Sequence, residues 1–312
     1  MSKISSSLFL SALLALGLHI SPAQAQMART FVSAATGNDA NDCNRATPCR
    51  TFQAAHDKTF DQGEITVLDP GGYGALTISK SISIVNDGVG EAGMLVSGGA
   101  TGIEVVAPDS GYVNIRGITI QGIGFGGGIG VRFDRGFALT LTNCVIRNLT
   151  GDGIIFHPAT SSSLAVSHTL VADNGGNGIN VEPHTSATAI VNVALNRVEM
   201  YHNSGFGVLA NGNFATGTIN VHATASVSAT NLSSGFAARS ALGRGVTLMQ
   251  VIGSTAFGNN GFGFLADTDF TEISVGQSTV NANSAGVASG NVTSYGDNYA
   301  GGIAFPGHTD KS

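Results

Sequence analysis

The chain has 312 residues and a formal charge of −6; 11% of its residues are charged, 42% are apolar and 44 are glycine. The apolar residues fall in short pieces, which excludes a disordered chain, poor in them, and a helical membrane protein, which gathers them into long runs. No Lys/Arg stripe is present to meet phosphates, so nucleic acid is excluded as a partner, and the many short pieces set between Gly, Asn and Asp predict an all-β protein.

Residues 1–25 read as a secretory signal peptide. Lys3 supplies the positive start, Leu8 to Leu18 the apolar stretch, and Ala23-Gln24-Ala25 the cleavage site, so the mature chain is expected to start at Gln26. Read as a membrane anchor the run is too short, since a span needs ~20 apolar residues. The expectation is therefore a secreted or periplasmic protein without a membrane span.

Residues 26–62 read as an N-terminal cap. Residues 30–33 suit a short strand. Cys43 and Cys49 lie six apart, and in an oxidising compartment they are expected to form a local disulfide. Metal is not expected there, because no further Cys or His completes a tetrahedral set. A short helix follows, with Thr47 as N-cap and Pro48 in the first turn. Phe52, Ala55, Thr59 and Phe60 share one side at helical spacing, and His56 is read as a surface or cap residue. Cys144, the third cysteine, reads as a small buried apolar residue.

From residue 63 to about 300 the chain repeats. Strands are expected at Ile65–Leu68, Leu76–Ile78 and Ile82–Val85, each with one apolar face. Beyond them an Asn precedes a Gly by three to five residues at Asn148/Gly153, Asn174/Gly178, Asn203/Gly207, Asn231/Gly235, Asn259/Gly263 and Asn283/Gly286. The Asn residues step by 26, 29, 28, 28 and 24 positions. Gly102 and Gly130 extend the glycine series upstream. Each period holds three short strands, as in Val131–Phe133, Leu139–Leu141 and Val145–Ile146. A period of this length with short strands and polar turns marks a solenoid, whereas a propeller blade of four strands needs ~40 residues or more. The Asn residues are expected to stack as an amide column, and the glycines to supply positive φ at the bends.

This pattern resembles the right-handed parallel β-helix of the pectate-lyase-like superfamily. The run Phe31-Val32-Ser33, Thr36-Gly37-Asn38-Asp39 and Cys43 to Cys49 with Arg50-Thr51-Phe52-Gln53 resembles the entry segment of exported bacterial β-helix proteins. The resemblance implies a single-stranded solenoid of about eight to nine coils, each rising about 4.8 Å, with a helix closing the N-terminal end. It also implies a groove on one face that hosts lyases, hydrolases or esterases. The motifs of those enzymes are missing: there is no Gly-His-Gly, no Asn-Thr-Asp, no Arg-x-Pro-x-x-Arg and no Gly-x-Ser-x-Gly. Trp is absent and Tyr numbers five, so aromatic platforms for sugars are few.

Aligning the strand after each glycine puts outward residues in two columns. The first runs Glu104, Arg132, Ile155, Asn180, Leu209, Ala237, Leu265; the second runs Val106, Asp134, His157, Glu182, Asn211, Arg239, Asp267. The second concentrates charge in a chain that has little. Asp134, His157 and Glu182, with Arg132, are the candidate catalytic set, and Asn180, His184, Asn211 and Arg239 the candidate substrate contacts. Neighbouring carboxylates suit acid/base work on a sugar or, in a lyase, Ca²⁺; no other cofactor is expected. The same residues also read as a solvated face with weak ion pairs.

Two functions follow: an exported module that binds a polysaccharide or cell-surface glycan along its outer wall, or a lyase or glycoside hydrolase acting on acidic polysaccharide at the catalytic set. The tail, residues 301–312, is short and polar, with Phe305 placed to cover the last coil.

Overall fold

The computed structural model describes residues 27–124, 126–184, 188–301 and 305. The expected leader lies outside these residues, as does most of the tail. Among the described residues the strands form two sheets, one of nine strands and one of eighteen, and their paired strands are parallel. The chain is a parallel β-solenoid of about nine turns. Each winding gives one short strand to the nine-stranded sheet and then crosses the larger sheet in two segments. The strand Ile190–Tyr201 shows why: buried and exposed residues alternate until Arg197, where the backbone turns left-handed (φ 53°), and the alternation then resumes. His168 (φ 49°) bends Ser162–Ala172 in the same way one coil earlier.

The shaft is filled by stacks of like residues. One inward column of the nine-stranded sheet runs Ile103, Val131, Ile154, Ile179, Val208, Phe236, Phe264. Its companion runs Val105, Phe133, Phe156, Val181, Ala210, Ala238, Ala266. Phe133 stacks on Phe156 at 4.5 Å in one column, and Phe236 on Phe264 at 5.7 Å in the other. Where one column carries Phe, the other carries a smaller aliphatic residue, down to Ala beside Phe236 and Phe264. The shaft thus keeps a constant cross-section, which close packing requires. Phe305 lies buried against Phe264 at 6.2 Å between ring centroids, at the C-terminal end of this stack.

The amide column begins one coil later than expected. Asn174 donates to Asn203 (2.9 Å), Asn203 to Asn231 (3.0 Å), Asn231 to Asn259 (2.9 Å) and Asn259 to Asn283 (2.8 Å). Each side-chain oxygen also accepts the backbone N–H of the preceding Asn, at 3.0 to 3.3 Å. Each amide nitrogen from Asn203 onward also reaches a backbone carbonyl at 2.9 to 3.2 Å: those of Val171, Met200, Ser228 and Ala256. Asn148 does not join: it takes the left-handed corner (φ 57°), and the backbone N–H of Leu149 bonds Asn174 Oδ1 instead. At the other corner the hydroxyls of Thr169, Ser226, Ser254 and Ser278 accept the backbone N–H of Cys144, Val198, Ser226 and Ser254. Cys144 sits in this hydroxyl column as a buried thiol, and burial raises its pKa.

Of the coil-opening glycines, Gly286 takes a positive φ (122°) as expected; the seven from Gly102 to Gly263 act by size instead. A Cβ at Gly130 would lie 2.5 Å from the carbonyl oxygen of Gly153, and one at Gly178 2.7 Å from that of Gly207. The left-handed corners fall elsewhere, on Asp173, His202, Thr230 and Gly258, just before the amide column.

At the N-terminal end, Cys43 and Cys49 are disulfide-bonded, with Cα atoms 4.6 Å apart. The helix spans Phe52–Lys58, and its N-cap is Thr51, not Thr47. Asp39 accepts from the backbone N–H groups of Arg50 and Thr51, and Cys49 bridges to Val32, so residues just after Pro48 stay extended. His56 is buried rather than exposed (3% accessible). Its Nδ1 lies 3.1 Å from Asp57 and its Nε2 accepts from the Ser79 N–H at 3.2 Å. Burial lowers its pKa below 6.5, and the hydrogen bond with Asp57 only partly offsets this.

Asn231→Ala leaves buried donors on Asn203 without an acceptor, so it is expected to destabilise by about 3 kcal/mol or more, read as a lower urea midpoint. Asn220→Ala removes an exposed amide pair with Asn192 and is expected to stay within about 0.5 kcal/mol. For His56, the unfolded chain takes up a proton that the folded chain resists. The stability it protects is complete above about pH 7 and is lost progressively as pH falls below about 6.5 and on through the lower folded pKa. A His56→Gln variant is expected to flatten the fall in unfolding midpoint between about pH 7 and about pH 5; an unchanged slope would refute the assignment.

Candidate functional site

The nine-stranded sheet carries the two outward columns. The first is in the expected register throughout, from Glu104 beside Arg132 to Ala237 beside Leu265. The second departs at one point. Arg135, not Asp134, stands opposite Val106, because the strand Ile129–Arg135 bulges after Phe133.

Beyond the bulge the second column forms a chain of contacts. Asp134 Oδ2 receives Arg132 Nε at 2.7 Å, and Asp134 Oδ1 lies 3.2 Å from His157 Nδ1. The bonded carboxylate raises the Arg132 pKa above its ordinary value. The His157 and His184 rings approach to 5.1 Å. Asn211 is buried and donates to Glu182 Oε2 at 2.8 Å. Arg239 Nε stands 3.0 Å from Asp267 Oδ2, yet this buried atom makes no aligned hydrogen bond, so the pair is a charge contact. The Arg239 guanidinium lies over the Phe206 ring at 4.9 Å. Together with Leu209, Ala237 and Leu265, Phe206 forms a small apolar cluster on the outer wall. In the later coils this face is covered, and Arg239 packs there.

Asp152 is a residue that column alignment misses, because it stands in the turn before the strand Ile154–Phe156. It accepts from the backbone and side chain of Asn177 and, at 3.1 Å, from Asn180 Nδ2. Burial raises its pKa, against these hydrogen bonds. Its flanking glycines, Gly151 and Gly153, are the sequence signal. Asn180 is thereby tied inward, and its Oδ1 is buried without a partner.

Calcium does not fit this set. Both oxygens of Asp134 are engaged, Asp152 is spent on amides, and among the described residues no three His, Cys, Asp or Glu side chains converge on one point.

A shallow concavity lies on a different face. A groove of about 620 Å³ runs over five successive strands of the larger sheet. Its floor includes Ala165 and Ala194, and His222, Gln250 and Ser274 continue that column. The parallel column beside it holds Ser163, Asn192, Asn220, Leu248 and Glu272. Charge and concavity are therefore separated. The charges of the strip already pair with one another, and the groove offers a separate bed for a ligand.

No protein-family model matches the chain, and no curated protein matches it in sequence. Among solved structures, pectate lyase Pel9A aligns with a TM-score of 0.53 at 17% identity, over 90% of this chain and 82% of that one. The alginate lyase from Paenibacillus sp. str. FPU-7 aligns with a TM-score of 0.50 at 15% identity, over 87% of this chain and 99% of that one. At these identities the likeness is one of fold: the protein is a parallel β-solenoid of the kind on which these two lyases are built.

Proposed function

We propose that the protein is an exported β-solenoid that binds a polysaccharide along the groove of its larger sheet. The carrying observation is the groove: five strands in register line one open channel, and four of them present Asn192, Asn220, His222, Gln250 and Ser274. An extended polymer can run across the coils and meet a similar set of hydrogen-bonding groups at each. Export is supported by the leader-like sequence at residues 1–25, by the disulfide, and by the lack, among the described residues, of a helix long and apolar enough to cross a membrane. The two fold neighbours are by name polysaccharide lyases, which supports a polysaccharide as ligand class.

A second reading has one observation in its favour. Asp134 orients the His157 imidazole through Nδ1, so a neutral ring carries its lone pair on Nε2, and Arg132 stands beside the same carboxylate. That arrangement suits proton abstraction from a uronate, with Glu182 one coil away, held by Asn211. Here Asp134 would position His157 rather than touch substrate, and the strip would act as the site of a lyase.

Affinity electrophoresis through gels containing soluble polysaccharides separates the two. Ala194 is exposed on the groove floor, so Ala194→Trp fills the bed without entering the shaft. It is expected to lower retardation affinity by about tenfold, while Asp134→Ala leaves it unchanged. Release of unsaturated uronate products, abolished by His157→Ala and untouched by Ala194→Trp, would replace the binding reading with the lyase.

A further inference from the structure

The groove has a definite charge character. None of the residues that line it is Lys or Arg, and Glu272 is its one acidic residue. Cations on neighbouring segments are engaged elsewhere. Arg197 Nη1 lies 3.0 Å from His168 Nε2, and Arg244 donates to the Phe214 carbonyl at 3.5 Å. Arg132, Arg135 and Arg239 belong to the nine-stranded sheet and are paired with Asp134, Asp109 and Asp267. A polyanion laid in the groove would leave water for a surface that offers a carboxylate and no fixed cation, and unpaired charge is costly to desolvate.

The polar groups that are present have a different capability. Asn192, Asn220, Gln250, Ser163 and Ser274 each carry both a donor and an acceptor. A sugar hydroxyl also does both, whereas a carboxylate only accepts. Asn220 Nδ2 donates to Asn192 Oδ1 at 3.0 Å, which fixes the two amides relative to each other and leaves Asn192 Nδ2 and Asn220 Oδ1 for a ligand. Gln250 Nε2 is 3.3 Å from the Tyr295 hydroxyl, so an aromatic ring stands beside the groove at that point.

At the other end the outward column of Ser163 continues through Ala138 to Tyr112. Tyr112 is 53% exposed and pairs with Phe137, itself 42% exposed, at 5.1 Å. The Ser163 N–H bonds the Phe137 carbonyl at 2.9 Å, so the aromatic pair adjoins the groove in the next coil. Two large exposed rings side by side are a costly arrangement in water unless something covers them. The C–H faces of pyranose rings are apolar and match such a platform.

We infer that the groove takes an uncharged polysaccharide, not a polyuronate, with the Tyr112/Phe137 pair as a stacking platform at one end. This rests on the groove being the binding site, as proposed above, and adds the charge class of its ligand.

The test uses the full mature chain in affinity electrophoresis against neutral β-glucan, glucomannan and galactomannan, and against polygalacturonate and alginate, at low and high salt. Binding to at least one neutral polymer is expected, changing less than about twofold with salt, since screening acts only between charges. Tyr112→Ala, Gln250→Ala and Ala194→Trp are each expected to weaken it by about fivefold or more, with no change in urea midpoint beyond that of other surface changes. Binding only to a polyuronate, salt-sensitive and lost in Ala194→Trp, overturns the charge class while the groove stands as the site. Polyuronate binding lost in Arg132→Ala but kept in Ala194→Trp and Gln250→Ala overturns the groove itself. Failure to bind any of the five polymers overturns both.

Discussion

Register between windings is the constraint on which the molecule depends. In a solenoid each strand has a neighbour above and below, and a slip of one residue would turn every inward side chain outward. Two buried polar columns prevent that slip. The amides of Asn174 through Asn283 saturate one corner, each bonded both to its neighbours and to the backbone. The hydroxyls of Thr169, Ser226, Ser254 and Ser278 hold the other by accepting backbone N–H groups of the neighbouring winding. Buried polar groups left unbonded would cost more than these columns return, so displaced pairings are penalised twice. The hydrophobic shaft between the corners supplies the bulk of the stability, but it is made of interchangeable aliphatic layers. Aliphatic layers alone penalise a slip of one residue but tolerate a slip of two, which keeps every side chain on its own face.

The columns also explain how a chain with few charges and varied residues keeps one cross-section. Bulk moves between the two inward columns of the nine-stranded sheet as the chain ascends. Phe133 and Phe156 fill one side in the early coils; Phe236 and Phe264 fill the other later, with Ala238 and Ala266 making room. The glycines are part of the same fit. At Gly130 and Gly178 the next winding's carbonyl occupies the place of a side chain, which lets successive turns close to strand spacing.

Much of this was legible in the sequence, and the reasons are physical. The Asn period is visible because a buried amide has no substitute at its corner, and the first outward column follows directly from the alternation of strands. Three features escaped for equally definite reasons. The bulge at Asp134 adds a residue without altering the local apolar pattern, so Val106 looked like its partner. The column ends at Asn174, whose oxygen takes the Leu149 backbone N–H, so Asn148 looked like a member when it had become the corner. The groove left no mark at all, since it depends on small outward residues such as Ala165 and Ala194 and not on any period. His56 shows the opposite error: a polar type at the end of a helix was read as exposed, though Ser79 and Asp57 hold it inside. For the strip of Asp134, His157 and Glu182 the columns placed the residues next to one another, but spacing could not say that the charges would satisfy each other.

The corner columns carry one more implication. Asn203 and Asn231 occupy equivalent places one winding apart, as do Ser226 and Ser254, and each presents the same contacts upward and downward. The chain can therefore gain or lose a complete winding with both cut ends meeting a familiar partner. Change in such a molecule comes by the whole floor rather than by the single brick, so the reach of its outer wall can be lengthened or shortened by duplication or excision without redrawing any corner.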